Sequence, residues 1–234
     1  MTSPAVHQGL RIPAAGVTLE ADVVMPDPAS GAVLFAHGSG SGRHSPRNRQ
    51  VAGELQRAGL ATVLADLLTP EEEQLDARTG ALRFDIGLLA GRVAALTDWL
   101  VDREQTADLG VGLFGASTGA AAALVAATTR PASVEAVVSR GGRPDLAGGL
   151  LRLVRQPVLL IVGERDRTVL DLNRKAMEEL SGETRLEIVP AASHLFEEPG
   201  ALEQVARLAR AWLVGHLQPR HAAPDTGGRH GNGR

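Results

Sequence analysis

The chain contains no cysteine. A disulfide framework, a thiolate zinc site and a cysteine nucleophile are therefore excluded, and any nucleophile must attack through oxygen or nitrogen. Metal-enzyme motifs are missing as well, because the sequence has neither a His-Glu-x-x-His motif nor a helix with paired histidines. We expect chemistry that requires no metal and no other cofactor.

The chain also has little net charge and no leader-like start. Its net charge of -3 provides no basic field that would hold nucleic acid or anionic lipid, so neither is expected as a partner. Residues 1–20 lack a basic start followed by an apolar run, and they contain no stretch long enough to span a bilayer. The cytoplasm is therefore the expected location.

Short apolar runs alternate along the chain with longer helical patterns. This alternation is typical of an α/β fold, in which crossover helices cover both faces of a mostly parallel sheet. A length of 234 residues suits a single domain, predicted over 1–218. Residues 219–234 are rich in Gly, Arg, His and Pro, so a disordered tail is predicted there.

The apolar runs and helical patterns predict the following elements. Strands are expected at 17–25, 32–36, 61–66, 109–114, 134–138, 158–162 and 185–189, and helices at 46–58, 86–100, 118–127, 170–180 and 200–217. The acidic stretch 69–80 is predicted to be a loop on the rim of a cleft, and it is too short to form a lid domain.

The sequence Gly-Ala-Ser-Thr-Gly at 115–119 lies between a predicted strand and a predicted helix. This is the context of a nucleophile elbow, in which a strained serine is flanked by glycines because larger side chains would collide there. Small residues follow at 119–123, which lets the helix approach the sheet with its positive N-terminus facing developing negative charge. Ser117 is the candidate nucleophile.

A serine hydroxyl needs a neighbouring base, and the base needs a group that fixes its tautomer. In the order expected for this fold, acid and histidine follow the serine. His194 is the candidate base, because it follows a strand and is the only histidine between Ser117 and the last helix. Asp166, in the turn after the preceding strand, is the preferred acid, with Glu164 and then Asp145 as alternatives.

The run Phe35 to Gly42 follows another strand with alternating glycines and serines. A flexible loop at this place can turn a backbone N–H towards a substrate carbonyl, so the amides of Ser39 and Thr118 are the candidate oxyanion donors. The competing interpretation is a phosphate-binding loop. It is not supported, since the sequence lacks both the Gly-x-x-x-x-Gly-Lys-Ser/Thr and the Gly-x-Gly-x-x-Gly spacings.

Arginines recur on the loops that should surround the cleft. Because guanidinium groups bind carboxylate or phosphate through two hydrogen bonds, some of them are candidates for holding an anionic part of the substrate. The alternative is local pairing, such as Arg143 with Asp145 or Arg83 with Asp85. The candidate arginines are Arg43, Arg47, Arg83, Arg140 and Arg143.

With these residues assembled, the chain resembles the α/β-hydrolase superfamily, and within it the small, lidless dienelactone hydrolase-like proteins. The resemblance extends from about Val17 to Leu217 and implies about eight strands, an antiparallel strand near the start, and a Ser-Asp-His triad. Dienelactone hydrolases proper attack with cysteine, whereas position 117 is serine. The segments that carry the resemblance are FAHGSGSGRHSPRN (35–48), LFGASTGAAAAL (113–124), VSRGGRPDLA (138–147), VLLIVGERDRTV (158–169) and ASHLFEEPGAL (192–202).

The leading hypothesis is a carboxylesterase that cleaves small esters through an acyl-enzyme on Ser117. The same triad also serves thioester, lactone and peptide hydrolysis and perhydrolysis, because these reactions differ only in the pocket. A hypothesis of another class is a non-catalytic binding protein that has kept the hydrolase fold. The oligomeric state does not follow from the sequence.

Overall fold

A computed structural model describes residues 3–217. Eight strands form one mixed sheet in the order β1-β2-β4-β3-β5-β6-β7-β8. The β1/β2 and β2/β4 pairs are antiparallel, and the other pairs are parallel. The strands are β1 (Ser3–Ala14), β2 (Val17–Asp27), β3 (Gly31–Ala36), β4 (Leu60–Ala65), β5 (Val111–Ala116), β6 (Val134–Arg140), β7 (Val158–Gly163) and β8 (Thr184–Val189).

Six α-helices connect or follow these strands. They are α1 (Pro46–Arg57), α2 (Pro70–Thr79), α3 (Ile86–Asp102), α4 (Thr118–Thr129), α5 (Arg167–Glu179) and α6 (Ala201–His216), with 3₁₀ segments at Leu82–Phe84 and Pro144–Leu153. Within residues 3–217, no helix combines the length and the apolar composition that crossing a membrane requires. The disordered tail predicted for 219–234 lies outside the described residues.

The two faces of the sheet carry separate apolar clusters. Helices α1 and α6 pack on one face, and α3, α4 and α5 contribute to the cluster on the other. Strands β3 and β5 are buried along their whole length because both faces are covered. The alanines at 120–123 of α4 are fully buried, so the helix after Ser117 lies close to the sheet. The predicted mostly parallel sheet with helices on both faces is confirmed.

Two predictions from the sequence were incomplete or wrong. Strand β1 was not predicted; it is an edge strand that pairs with β2 across a tight turn in which Ala15 and Gly16 both have positive φ. The loop predicted at 69–80 is the helix α2. Thr69 and Glu72 form a capping box at its start, and Pro70 occupies the first helical turn.

Candidate active site

Ser117 lies at the sharp turn between β5 and α4, with φ 51° and ψ -121°. A non-glycine residue rarely adopts this conformation, which costs on the order of 1–3 kcal/mol and persists only where its surroundings enforce it. The flanking glycines permit the turn. A Cβ at Gly115 would lie 2.7 Å from the carbonyl oxygen of Gly119, and a Cβ at Gly119 would lie 2.7 Å from the carbonyl carbon of Ala36.

The loop after β3 passes directly over this turn. A Cβ at Gly38 would lie 2.9 Å from Cβ of Ser117, so only glycine fits there. The next residue, Ser39, is joined to Thr118 by a hydrogen bond of 3.1 Å between their hydroxyl groups. Within the described residues, the backbone N–H groups of Ser39 and Thr118 have no hydrogen-bond acceptor. Both N–H groups are thus near Ser117 and available to bind an oxyanion.

His37, which sequence reasoning left without a role, anchors the same loop. Its buried ring accepts a hydrogen bond at Nε2 from the backbone N–H of Leu67 (2.9 Å) and lies 3.0 Å through Nδ1 from the carbonyl oxygen of Gly38. Because an N–H can only donate, Nε2 is unprotonated and the proton is on Nδ1. Burial lowers the pKa of His37, which keeps the ring neutral. The sequence signal for this anchoring role is the His-Gly pair that directly follows a predicted strand.

Asp166 and His194 meet at the carboxyl ends of β7 and β8. Nδ1 of His194 lies 2.6 Å from Oδ2 of Asp166, a charge-assisted hydrogen bond that leaves Nε2 of the imidazole as the basic nitrogen. Asp166 is the N-cap residue of α5, yet its side chain does not cap the helix. Aspartate at this position usually bonds to the helix N–H groups, so its orientation towards the imidazole is a departure from local preference.

The two alternatives to Asp166 have other partners. Glu164 accepts a hydrogen bond of 2.7 Å from the backbone N–H of Ala191 and so supports the loop that precedes His194. Asp145 forms two hydrogen bonds with the guanidinium of Arg143, at 2.8 and 2.7 Å. Neither carboxylate has a hydrogen bond to His194 among the described residues, so Asp166 is the acid that the geometry favours.

Glu198, a residue that sequence reasoning missed, braces the histidine loop from the other side. Both of its carboxylate oxygens accept hydrogen bonds of 3.0 Å from the backbone N–H of Ser193. These bonds lower the pKa of Glu198. The carboxylate therefore holds the residue next to His194 in place, and its position four residues after the histidine was the only signal in the sequence.

Ser117 and His194 are brought together by the segment after β6. The backbone N–H of Ser117 donates to the carbonyl oxygen of Arg140 (3.2 Å), and the next residue, Gly141, lies against the imidazole. A Cβ at Gly141, which has φ 51°, would be 3.4 Å from Nδ1 of His194. The described residues form no hydrogen bond between Ser117 and His194, and such bonds often tighten only when substrate is bound.

A cleft of about 630 Å³ opens beside this turn. The loop after β3 and Thr118 form one side of it, and residues of α2 form another. The stretch 69–80 therefore does line the cleft as predicted, although as a helix. No group of three or more His, Asp or Glu side chains in residues 3–217 is placed to hold a metal ion.

The candidate arginines divide into paired and unpaired groups. Arg43 forms ion pairs with Asp66 and Glu20, and Arg143 pairs with Asp145 as the local-pairing alternative predicts. Arg83 also pairs locally, but its partner is a different aspartate. Arg47 has a single contact of 3.4 Å with an exposed glutamate, and Arg140 has no ion-pair partner among the described residues.

The partner of Arg83 corrects a detail of the sequence interpretation. Its Nε lies 2.7 Å from Oδ2 of Asp76, on α2, whereas Asp85 caps α3 by accepting a hydrogen bond from the N–H of Leu88. An aspartate just before a helical pattern is a preferred cap, which explains why Asp85 is not available to the arginine.

The family model described as dienelactone hydrolase family matches residues 19–214. The chain belongs to the dienelactone hydrolase family. The family predicted from the sequence is thus confirmed, and with it the α/β-hydrolase fold.

Two solved structures share the fold of this chain and carry different names. A dienelactone hydrolase from Anabaena variabilis is 56% identical, covers 92% of this chain and 100% of its own, and superposes with a TM-score of 0.90. Est1E from Butyrivibrio proteoclasticus, solved with ferulic acid bound, is 15% identical over 88% of this chain and 98% of its own, with a TM-score of 0.74, and shows the fold alone.

A Mycobacterium tuberculosis protein, provisionally named a phosphoribosyl transferase, is 54% identical over 214 residues. The match covers 92% of this family member but only 47% of the mycobacterial protein. This chain therefore spans about half of the length of that relative.

Proposed function

We propose that this dienelactone hydrolase family member is a serine esterase with Ser117, His194 and Asp166 as its catalytic triad. The observation that carries the proposal is the 2.6 Å bond between His194 and Asp166, next to a serine with φ 51°. Ser117 and Asp166 both occupy helix N-cap positions, and neither side chain caps its helix. Side chains that forgo a stabilising bond in this way are typical of functional sites.

The arrangement supports acyl transfer in two steps. In the first, Oγ of Ser117 attacks the ester carbonyl while Nε2 of His194 takes its proton, and the alcohol leaves with that proton. Asp166 keeps the proton of the imidazole on Nδ1 and stabilises the imidazolium. In the second step, water attacks the acyl-enzyme with His194 as base, and the carboxylic acid is released.

The N–H groups of Ser39 and Thr118 are the proposed oxyanion donors. Thr118 is the first residue of α4, so the positive end of the helix dipole adds to its N–H. The hydroxyl bond between the two residues fixes the donors relative to each other. A preformed pair of donors stabilises the tetrahedral intermediate without reorganisation, and loss of one donor costs about 10²–10³ in turnover.

Small carboxylic esters are the proposed substrates. The cleft of about 630 Å³ is of the size that holds small molecules, and α2 is too short to enclose a long chain. A panel of p-nitrophenyl esters of rising acyl length, together with a thioester, a lactone and a peptide, distinguishes these hydrolase reactions. We expect activity on short acyl esters, and activity confined to the thioester, lactone or peptide would contradict the proposal.

The mycobacterial relative carries a transferase name, but this chain matches only 47% of that protein. The matched region of this chain is accounted for by the dienelactone hydrolase family, so the proposal for this chain is ester hydrolysis rather than phosphoribosyl transfer.

Labelling with a fluorophosphonate tests the nucleophile directly. We expect one covalent adduct, mapped by mass spectrometry to Ser117, and no labelling of Ser117→Ala. The variant should lose at least about a thousandfold in turnover of p-nitrophenyl acetate, whereas Ser30→Ala, at a surface site before β3, should behave as wild type. An unlabelled and inactive wild-type protein would overturn the serine esterase and leave the binding-protein alternative, whereas a fully active Ser117→Ala variant would overturn Ser117 as the nucleophile.

A further inference from the structure

Strand β8 forms one edge of the sheet, and its outer side faces no other strand within residues 3–217. Its sequence, Thr-Arg-Leu-Glu-Ile-Val at 184–189, contains no proline or glycine, and its pairing with β7 is regular throughout. An open edge of this kind offers a row of unpaired N–H and C=O groups to a strand of another chain. Strand β8 is therefore a candidate interaction surface.

The opposite edge, strand β1, is protected against such pairing. Its register with β2 shifts between Ser3 and Val6, and it contains Pro13, whose nitrogen carries no hydrogen. Proteins commonly use an irregular register and proline to prevent edge strands from pairing with other chains. Strand β8 has neither of these features, so the two edges of the sheet differ in what they can bind.

The outward backbone groups of β8 belong to alternate residues. The carbonyl oxygens of Glu183 and Val189 accept hydrogen bonds from the segment 158–164, so both carbonyls face β7. The N–H and C=O groups of one residue point to the same side of a strand, and that side alternates from residue to residue. The groups that face away from β7 are therefore those of Thr184, Leu186 and Ile188.

Two opposite charges lie on one face of this strand. Arg185 and Glu187 are two residues apart, so they share a face, and they form an ion pair within the strand. Their side chains are 64% and 23% exposed, so both can be reached from outside the chain. An arginine followed two residues later by a glutamate is a pattern that is complementary to itself when the partner strand runs in the opposite direction.

An antiparallel second copy of β8 satisfies the backbone groups and the charges in one register. With a two-fold axis at Leu186, the outward groups of Thr184 meet those of Ile188 in the second copy, and Leu186 meets its own equivalent. Arg185 then lies opposite Glu187 of the second copy, at a non-hydrogen-bonded position, where facing side chains are closest. An axis at Arg185 or Glu187 would place like charges opposite each other and would require backbone groups that already face β7.

The surroundings of β8 provide further contact area. Ile188 in the strand is 37% exposed, and Met177 in helix α5, which packs against β8, is 43% exposed. Helix α6 packs against β8 as well, so pairing of two β8 strands brings both helices close to their equivalents in the second copy. Stable interfaces bury about 800 Å² on each partner, and the helices add to the area that the strand supplies.

We propose that this chain forms a symmetric dimer in which the β8 strands of two copies pair antiparallel about Leu186. The same surface is used on both copies, as in most two-fold dimers, and the two sheets become one continuous sheet. The residues that line the cleft lie outside β8, α5 and α6, so the cleft stays open in the dimer. The dimer does not depend on the proposed esterase activity.

Charge reversal and complementation test the interface. Sedimentation velocity of the wild type should show a dimer whose dissociation constant rises with salt, because salt screens exposed ion pairs. Arg185→Glu and Glu187→Arg each place like charges opposite each other across the two-fold axis, and each should raise the dissociation constant at least about tenfold. An equimolar mixture of the two variants should recover the dimer, because every arginine then faces a glutamate of the other chain.

The mixture separates the interface from the folding of the strand. Each single reversal also removes the ion pair within β8, and mixing cannot restore that pair, so recovery reports on the interface alone. Thr184→Pro removes an outward N–H at the first residue of the strand, where proline is tolerated, and should prevent dimerisation in a chain that stays folded by circular dichroism. Arg11→Glu, the same charge reversal at an exposed position of β1, should leave the dimer intact.

Hydrogen exchange shows what covers the edge. Exchange at the N–H groups of Thr184, Leu186 and Ile188 should be slow above the dissociation constant and fast after dilution below it. A wild type that sediments as a monomer would overturn the proposal. Slow exchange that does not depend on concentration would also overturn it and would assign the edge to residues of the same chain outside 3–217. A dimer that dissociates only in Arg11→Glu would place the interface at β1 instead.

Discussion

Gly119 offers a test of the close contact between the turn at Ser117 and the end of β3 with the loop that follows it. Alanine favours helices over glycine by about 1 kcal/mol, so Gly119→Ala in the first turn of α4 would be mildly stabilising if the surroundings were open. They are not: the new Cβ would overlap the carbonyl oxygens of Ala36 and His37 and lie 2.7 Å from the carbonyl carbon of Ala36. Favourable carbon contacts lie at about 3.5–4.0 Å.

The size of the destabilisation depends on which parts of the backbone must move to make room for the new Cβ. Neither side of the contact is a flexible side chain, so α4 or the end of β3 has to shift by roughly 1 Å, and overpacking of this kind costs about 1–3 kcal/mol. Because the overlap is with backbone atoms and is severe, the cost should lie near 3 kcal/mol. Against a helix gain of about 1 kcal/mol, we expect a net loss of about 2 kcal/mol, which lowers the melting temperature by about 4–8 °C. A displacement of about 1 Å at reacting groups costs about 10²-fold in turnover.

The assay pairs denaturant unfolding with p-nitrophenyl acetate turnover, and Gly91→Ala is the matched control. Gly91 lies in the middle of α3 with no atom within 4 Å of its Cβ position, so this variant should gain up to about 1 kcal/mol and keep its activity. A Gly119→Ala protein as stable and as active as Gly91→Ala would refute the claim that the turn depends on this contact.

Two further predictions concern carboxylates. Asp166→Asn should lower kcat/KM for p-nitrophenyl acetate by about 10³–10⁴-fold, because the imidazole loses the group that fixes its tautomer. Glu164→Gln should change kcat/KM less than about tenfold. Similar losses in both variants would count against Asp166 as the acid. Glu72 accepts two hydrogen bonds, of 2.6 and 2.5 Å, from the buried guanidinium of Arg92. Glu72→Gln should therefore lower the free energy of unfolding by about 2–3 kcal/mol, measured in urea at pH 7. The control Glu71→Gln changes an exposed residue in the same helical turn and should cost under about 1 kcal/mol. The bonds to Arg92 lower the pKa of Glu72. Glu72 therefore contributes its full share of the free energy of unfolding above pH 4.5, the ordinary glutamate pKa, and loses it as the pH falls through the lowered pKa of the folded protein. A stability difference between wild type and Glu72→Gln that does not shrink in acid would contradict this origin.

The sequence predicted those parts of the fold whose signals are local. Strands β3 to β7 are short apolar runs that are buried almost along their whole length, and their patterns do not depend on distant partners. The helix α2 also has local signals, a Thr-Pro-Glu-Glu start and a glycine at its end, where Gly80 adopts the left-handed conformation. An acidic composition is typical of loops as well, so these capping signals and not the composition distinguish the helix.

Other features depend on residues far apart in the chain and could not be predicted. Strand β1 exposes most of its side chains, and its conformation comes from pairing with β2. Arg43 pairs with Asp66, which is 23 residues away, and nothing in the local sequence distinguishes Arg43 from Arg140, which has no ion-pair partner within residues 3–217. Chain order and strand ends predicted that Asp166 would contact His194, whereas the contacts of His37 and Glu198 required the structure.

Helix α2 affects how readily the substrate range of the protein can change. It lines the cleft with Glu73, Asp76 and Ala77, yet it buries only Asp76 and is tied to the rest of the protein through Asp76 and Glu72. The sheet, the serine turn and the histidine loop do not depend on its other side chains. Mutations of Glu73 and Ala77 can therefore alter the pocket at little cost to folding, so substrate range can drift in evolution while the proposed catalytic residues stay fixed.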